Sequence, residues 1–301
     1  MEQHRIDHGR GAPGRFGFKA RLAGLAFAAL AATPLSAQSI YPPAPLPAAD
    51  AGIHASPAMW QVRDSDTTIY LFGTFHTLDA RTAWFDDRLR AAFDQSGELV
   101  LETVVPTDPE QIRAAGKLVI EEPAAPGGPR TVKPFIAQTQ VAIEHGRANG
   151  LSVDHGADAV LRRVAEGIGK PVAGLERFED QLGALARIPA APPPVMAVAT
   201  PAVAVPSLAI SAPVTIDGLL LAWKQGDMSA FSTMLSGFEA KSPVAYRMLI
   251  TDRNARWGEW IVDRLDRPGT VYVAVGAGHL AGKDSVQQWL AVRGFAATRV
   301  H

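Results

Sequence analysis

Four side chains could do chemistry together, because each closes an apolar run. His76 ends Tyr70-Leu71-Phe72-Gly73-Thr74-Phe75-His76, and Glu102 ends Leu99-Val100-Leu101-Glu102. Glu176 ends Val172-Ala173-Gly174-Leu175-Glu176, and His279 follows Val273-Ala274-Val275-Gly276-Ala277-Gly278. Two of them share a spacing, Gly73-x-x-His76 and Gly276-x-x-His279. Glycine lets a backbone turn sharply as it leaves a strand, so each imidazole can point across the strand ends. Two imidazoles and two carboxylates, with no thiol, suit a divalent metal such as Zn, Mn, Co or Fe. Water on such a metal ionises near pH ~7 and becomes a nucleophile, and a carboxylate beside it can move the proton. Taken singly, each residue has a plainer explanation. A strand-end His is commonly a hydrogen-bonded structural residue, and Glu176 can serve the N-terminus of a helix starting near Arg177. The matched Gly-x-x-His pair favours a site.

For these residues to meet, the strands that carry them must share an edge. In a parallel sheet the carboxyl ends lie along one edge, where open α/β folds bind ligands. Strand patterns at 60–63, 68–72, 98–103, 172–175, 271–275 and 296–300 alternate with helical patterns. The helices are expected at 84–95, 108–120, 135–149, 156–167, 177–187, 215–226, 243–265 and 283–292. Asp64-Ser65-Asp66 reads as the turn of a first hairpin. The alternation predicts an α/β fold with a mixed, largely parallel sheet flanked by helices. Asp158 reads as an N-terminal helix cap, and Asp252-Arg253-Asn254 as helix surface beside an inward Trp257 and Trp260. Gly276-x-Gly278-x-x-x-Gly282 imitates a dinucleotide loop but has one residue too many. The acidic residue such a loop needs about 20 positions on is absent.

The chain has 301 residues, 47% of them hydrophobic, enough for a full core. It has no cysteine, which excludes disulfides, thiolate metal sites and a cysteine nucleophile. Residues 1–37 read as an export signal: a basic segment, an apolar run from Leu22 to Ala32, then small residues up to Ala37. Their removal takes five basic and two acidic side chains and moves the net charge from −1 to −4. A mildly acidic chain with no basic stripe has no electrostatic reason to bind nucleic acid. No later segment is apolar enough to span a membrane, so a periplasmic or secreted location follows. Residues 38–57 form a Pro/Ala-rich tether, and 58–301 a domain interrupted by a Pro/Ala-rich insertion at 188–214.

The same segments resemble the TraB/GumN family. The likeness rests on Tyr70 to His76 with Trp84, on Leu101-Glu102, and on Gly174-Leu175-Glu176 with Gln181. Asp252-Arg253-Asn254 and Val275-Gly276-Ala277-Gly278-His279-Leu280-Ala281-Gly282 complete it. That family looks related to the Tiki metalloproteases and, more distantly, to erythromycin-esterase-like and ChaN-like proteins. The resemblance implies a Tiki/TraB-like fold and a metal-dependent, peptidase-like hydrolase acting on a peptide, protein or envelope substrate. It implies Mn, Co or Zn held by His76, Glu102 and His279, with Glu102 and Glu176 as catalytic carboxylates. Arg253 and Asn254 would then contact substrate in the same cleft. The competing reading is a non-catalytic envelope protein that binds a metal or cofactor, or assists polysaccharide assembly.

Overall fold

The structure, a computed structural model, describes residues 55–121, 131–188 and 215–300. The export signal, nearly all of the tether and nearly all of the insertion lie outside the described residues. The described part of the tether is already packed: Ala55 is buried and its N–H donates to Ala83 O.

Strands β1 (Met59–Arg63) and β2 (Thr67–Thr74) form the expected hairpin. Its turn is held by Asp64, whose carboxylate accepts from the Asp66 and Thr67 N–H groups. Helix α1 (Asp87–Gln95) starts three residues later than the sequence pattern indicated. Asp86 caps it, accepting from Arg88 and Leu89 N–H, and that leaves Trp84 outside as a core side chain stacked on Phe72. Strand β3 (Glu98–Thr103) leads to α2 (Pro109–Gly116), capped by Asp108, and to a short hairpin of β4 (Ile120–Glu121) and β5 (Thr131–Val132). Then come α3 (Pro134–Ala148), α4 (Ala157–Gly167), β6 (Val172–Glu176) and α5 (Phe178–Ala186).

Helices α6 (Ile216–Lys224) and α7 (Ser229–Lys241) follow. Helix α7 has no counterpart among the helices expected from the sequence, although Phe231, Met234, Leu235 and Phe238 recur at helical spacing. Its Ser and Thr residues obscure the pattern; in the fold Ser232, Thr233 and Ser236 each bond the carbonyl four residues back. A long helix then runs through α8 (Pro243–Tyr246), a π-helical segment (Arg247–Thr251) and α9 (Asp252–Leu265). The chain closes with β7 (Gly269–Gly276), α10 (Val286–Val292) and β8 (Ala297–Arg299).

The six-stranded sheet has the order β6-β3-β7-β2-β1-β8. Pairings β6/β3, β3/β7 and β7/β2 are parallel, and the two that involve β1 are antiparallel. β7 lies between β2 and β3, and its residues Val271 to Val275 are fully buried on both faces. That explains its unbroken apolar sequence. One face packs α9 and α10 through Trp257, Ile261 and Leu290 against Leu71, Val100 and Val273. The other carries Phe72, Leu101, Tyr272 and Ala274 beneath the remaining helices. Among the described residues no helix is long and apolar enough to cross a membrane.

Candidate active site

The parallel register of β2, β7, β3 and β6 brings the predicted residues together. Thr74 pairs with Gly276 across β2 and β7, Leu101 with Ala274 across β3 and β7, and Thr103 with Glu176 across β3 and β6. His76, Glu102, Glu176 and His279 therefore all emerge at one carboxyl edge. Gly276 is the point around which three of them gather. A Cβ there would sit 3.0 Å from Glu102 Oε1, 3.1 Å from His76 Nε2 and 3.7 Å from His279 Cδ2.

Each imidazole is oriented from behind. His76 Nδ1 lies 3.1 Å from Asp158 Oδ1, so Asp158 sits in the first turn of α4 as a histidine partner and does not cap the helix, as its sequence setting had indicated. Gly156 makes this contact possible, since a Cβ on it would lie 2.2 Å from His76 O. His279 Nδ1 lies 2.7 Å from Asn254 Oδ1. The amide of Asn254 donates to His279 O and Asp284 O, which leaves its oxygen as the acceptor and fixes the proton on Nδ1. Nε2 of His279 is then an acceptor, and Arg253 Nη1 lies 3.2 Å away. The ring also packs against Trp257, with centroids 4.4 Å apart.

Arg253 and Asn254 were expected on a helix surface by spacing, yet both are buried. The π-helical segment carries one extra residue in its turn. It places Leu249 and Ile250 toward a cavity and lets the following turn aim Arg253, Asn254 and Trp257 at the sheet. The Arg253 guanidinium donates to Glu102 Oε2 (2.8 Å) and through Nε to Glu176 Oε1 (2.8 Å), with a further Nη2 contact to Glu176. It also lies over the Trp257 ring, 4.6 Å from the centroid. Glu102 Oε1 accepts from Gly276 N–H (2.6 Å), and Gln181 Nε2 reaches Oε2 at 3.5 Å. Glu176 lines a shallower cleft with Val104 and Arg177, and meets Glu102 and His279 through Arg253.

Burial opposes ionisation of Glu102, but the Arg253 guanidinium, the two imidazoles and the Gly276 N–H overcome it and hold the carboxyl at about 2. Burial, above all, drops His279 to about 3, so its ring is neutral. His76 goes up: burial lowers it, and Asp158 more than reverses that. Burial also raises Glu176 despite Arg253.

These shifts set the pH dependence of folding. Between 6.5 and about 3 His279 takes up a proton only on unfolding, so stability falls as pH falls through that window. Glu102 contributes stability above 4.5 that is lost as pH falls toward about 2. His76 and Glu176, both raised, act oppositely: their contribution is full below the unfolded value and lost as pH rises through the folded one. In chelator-treated protein the urea midpoint is expected to decline from about pH 7 to about pH 4, with His279→Asn flattening the upper part. A midpoint that rose on acidification through this range would contradict the assignment.

Among the described residues no group of three or more His, Asp or Glu side chains is already spaced as a metal centre. The donor chemistry nevertheless fits one. Both imidazoles have Nδ1 held by an outer oxygen, the arrangement that leaves Nε2 as the ligating atom. Glu102 is anionic between them, and a metal at His279 Nε2 would take the place of its Arg253 Nη1 contact. The missing Cβ of Gly276 keeps the space beside these donors open.

The fold and this edge define an α/β protein with a polar site at the carboxyl ends of a largely parallel sheet. The chain belongs to the TraB/PrgY/gumN family, whose model matches residues 58–123 and 120–299. No curated protein and no solved structure matches it.

Proposed function

We propose that this protein is an exported, metal-dependent hydrolase whose centre is His76, Glu102 and His279. The supporting observation is the gathering of these three around Gly276, with each ring oriented by its own Nδ1 partner. His76 Nε2, His279 Nε2 and Glu102 would hold Mn, Co or Zn, which when bound supplies Lewis acidity and a water ionising near pH ~7. Asp158 and Asn254 keep the two rings in the ligating tautomer. Glu102, at about 2, serves as a permanent anion and is a weak base at neutral pH. Arg253 balances the charge of Glu102 and Glu176 and presents Nη1 to the same space. Glu176 acts through Arg253. Export to the periplasm or beyond rests on the basic, apolar and small-residue order of residues 5–37.

A second reading, a non-catalytic envelope binding protein, draws support from Arg253, which already supplies a cation to both carboxylates. Metal content and hydrolysis of peptide, amide and ester panels separate the two. Wild-type protein is expected to retain a divalent metal through gel filtration and to turn over a panel member, and His76→Ala to lose both. Retained metal without turnover would favour the binding protein. If the wild type takes up no divalent metal, the mechanism is wrong.

A further inference from the structure

A cavity of about 500 Å³ opens directly from the candidate site. At one end it is lined by Thr74, His76, Glu102, Gln181 and His279. Beyond them its wall is apolar: Phe135 and Ile143 from α3, Leu219 from α6, Phe231 and Phe238 from α7, and Ile250 from the π-helical segment. The Thr139 hydroxyl in that wall is already bonded to Phe135 O. At the polar end two oxygens are buried without a partner among the described residues, Gln181 Oε1 and Thr74 Oγ1. The Gln181 amide cannot turn over to relieve this. Its nitrogen lies 3.5 Å from Glu102 Oε2, an oxygen that also accepts from Arg253 Nη2, so Oε1 is left needing a donor.

Resting on the hydrolase reading, we infer that the substrate is an N-acyl amide. Its linear acyl chain fills the cavity and its amide N–H donates to Gln181 Oε1. A peptide threaded into the apolar wall would bring N–H and carbonyl groups into a region that does not satisfy them. An acyl chain brings none. An ester lacks the N–H that Gln181 needs. The reaction is closed by water alone. Water adds at the acyl carbonyl carbon, the C–N bond breaks, and both protons of the water end on the leaving nitrogen while its oxygen stays on the acyl carbon. The products are a fatty carboxylate and an ammonium, with no change of oxidation state.

The test is calorimetric titration of the full chain with N-acetyl-, N-octanoyl-, N-decanoyl- and N-dodecanoylglycine below their micellar concentrations. Affinity is expected to rise roughly three- to fourfold per methylene, with no measurable binding of the acetyl compound. Met234→Trp, which narrows the cavity from α7, should weaken dodecanoylglycine about tenfold or more. Leu219→Trp narrows it from another helix and stands in should Met234→Trp fail to fold by circular dichroism. Gln181→Met should weaken dodecanoylglycine but leave dodecanoate itself unchanged. Affinity independent of chain length, or unaltered in both tryptophan variants, overturns the acyl assignment. Equal loss of both ligands in Gln181→Met overturns the amide assignment. Chain-length-dependent binding with no release of amine supports the pocket and removes the catalytic reading. Faster hydrolysis of the acetyl than of the dodecanoyl compound does the reverse.

Discussion

Arg253→Met is expected to lower the folding free energy by about 3–5 kcal/mol at neutral pH, the usual cost of removing one partner from a buried ion pair. Two buried carboxylates, Glu102 and Glu176, depend on this guanidinium, as does the Nε2 of His279. Without it Glu102 retains the Gly276 N–H, the longer Gln181 contact and the two imidazoles, with His279 Nε2 at 3.8 Å, and Glu176 retains the exposed Arg256 at 3.7 Å. Methionine fills much of the volume, so the deficit is electrostatic. It should shrink as pH falls through the carboxylate range, because protonation removes the unpaired charges. Urea unfolding near pH 7.5 and near pH 5 measures both quantities. A loss below about 1 kcal/mol, or one independent of pH, would mean that Arg253 does not neutralise Glu102 and Glu176 as a buried ion pair. Arg253→Lys should recover little, since a single ammonium cannot bond two carboxylates through a planar fork.

Glu102→Gln is expected to reduce turnover by at least about 100-fold and to lower the retained metal, with the circular dichroism spectrum unchanged. Glutamine preserves the shape and can still accept the Gly276 N–H, so the change isolates the negative charge between two imidazoles. The acid-side decline in stability between 4.5 and about 2 should weaken in the same variant, because the group that titrates there is gone. Activity within a few-fold of wild type would remove Glu102 from the centre, whatever the metal content.

Much of this arrangement could be read along the chain. The apolar runs ending in His76, Glu102, Glu176 and His279 mark strands by composition, and their alternation with helical patterns gives a parallel sheet. Parallel register then carries four strand ends to one edge, because consecutive strands must run the same way past intervening helices. The absence of cysteine limits the donors to imidazole and oxygen. These properties are local or follow from one topological rule, so a linear sequence suffices.

Only the tertiary structure decided which helix faces the site, and how. Asp158 carries the signature of a cap, and its bond to His76 depends on α4 approaching a strand 82 residues earlier through Gly156. Arg253 lies on a helix whose spacing indicates an exposed face. The π-helical segment changes the phase of that helix and buries the guanidinium between carboxylates from two different strands. The apolar cavity is assembled from α3, α5, α6 and α7, whose separate sequences show only ordinary amphipathic faces. Long-range packing sets helix phase and cavity shape, and nothing in a helix's own periodicity states what its apolar side will cover. The strand ends therefore chose the reactive groups, and the packing of the helices chose their partners and the space beside them.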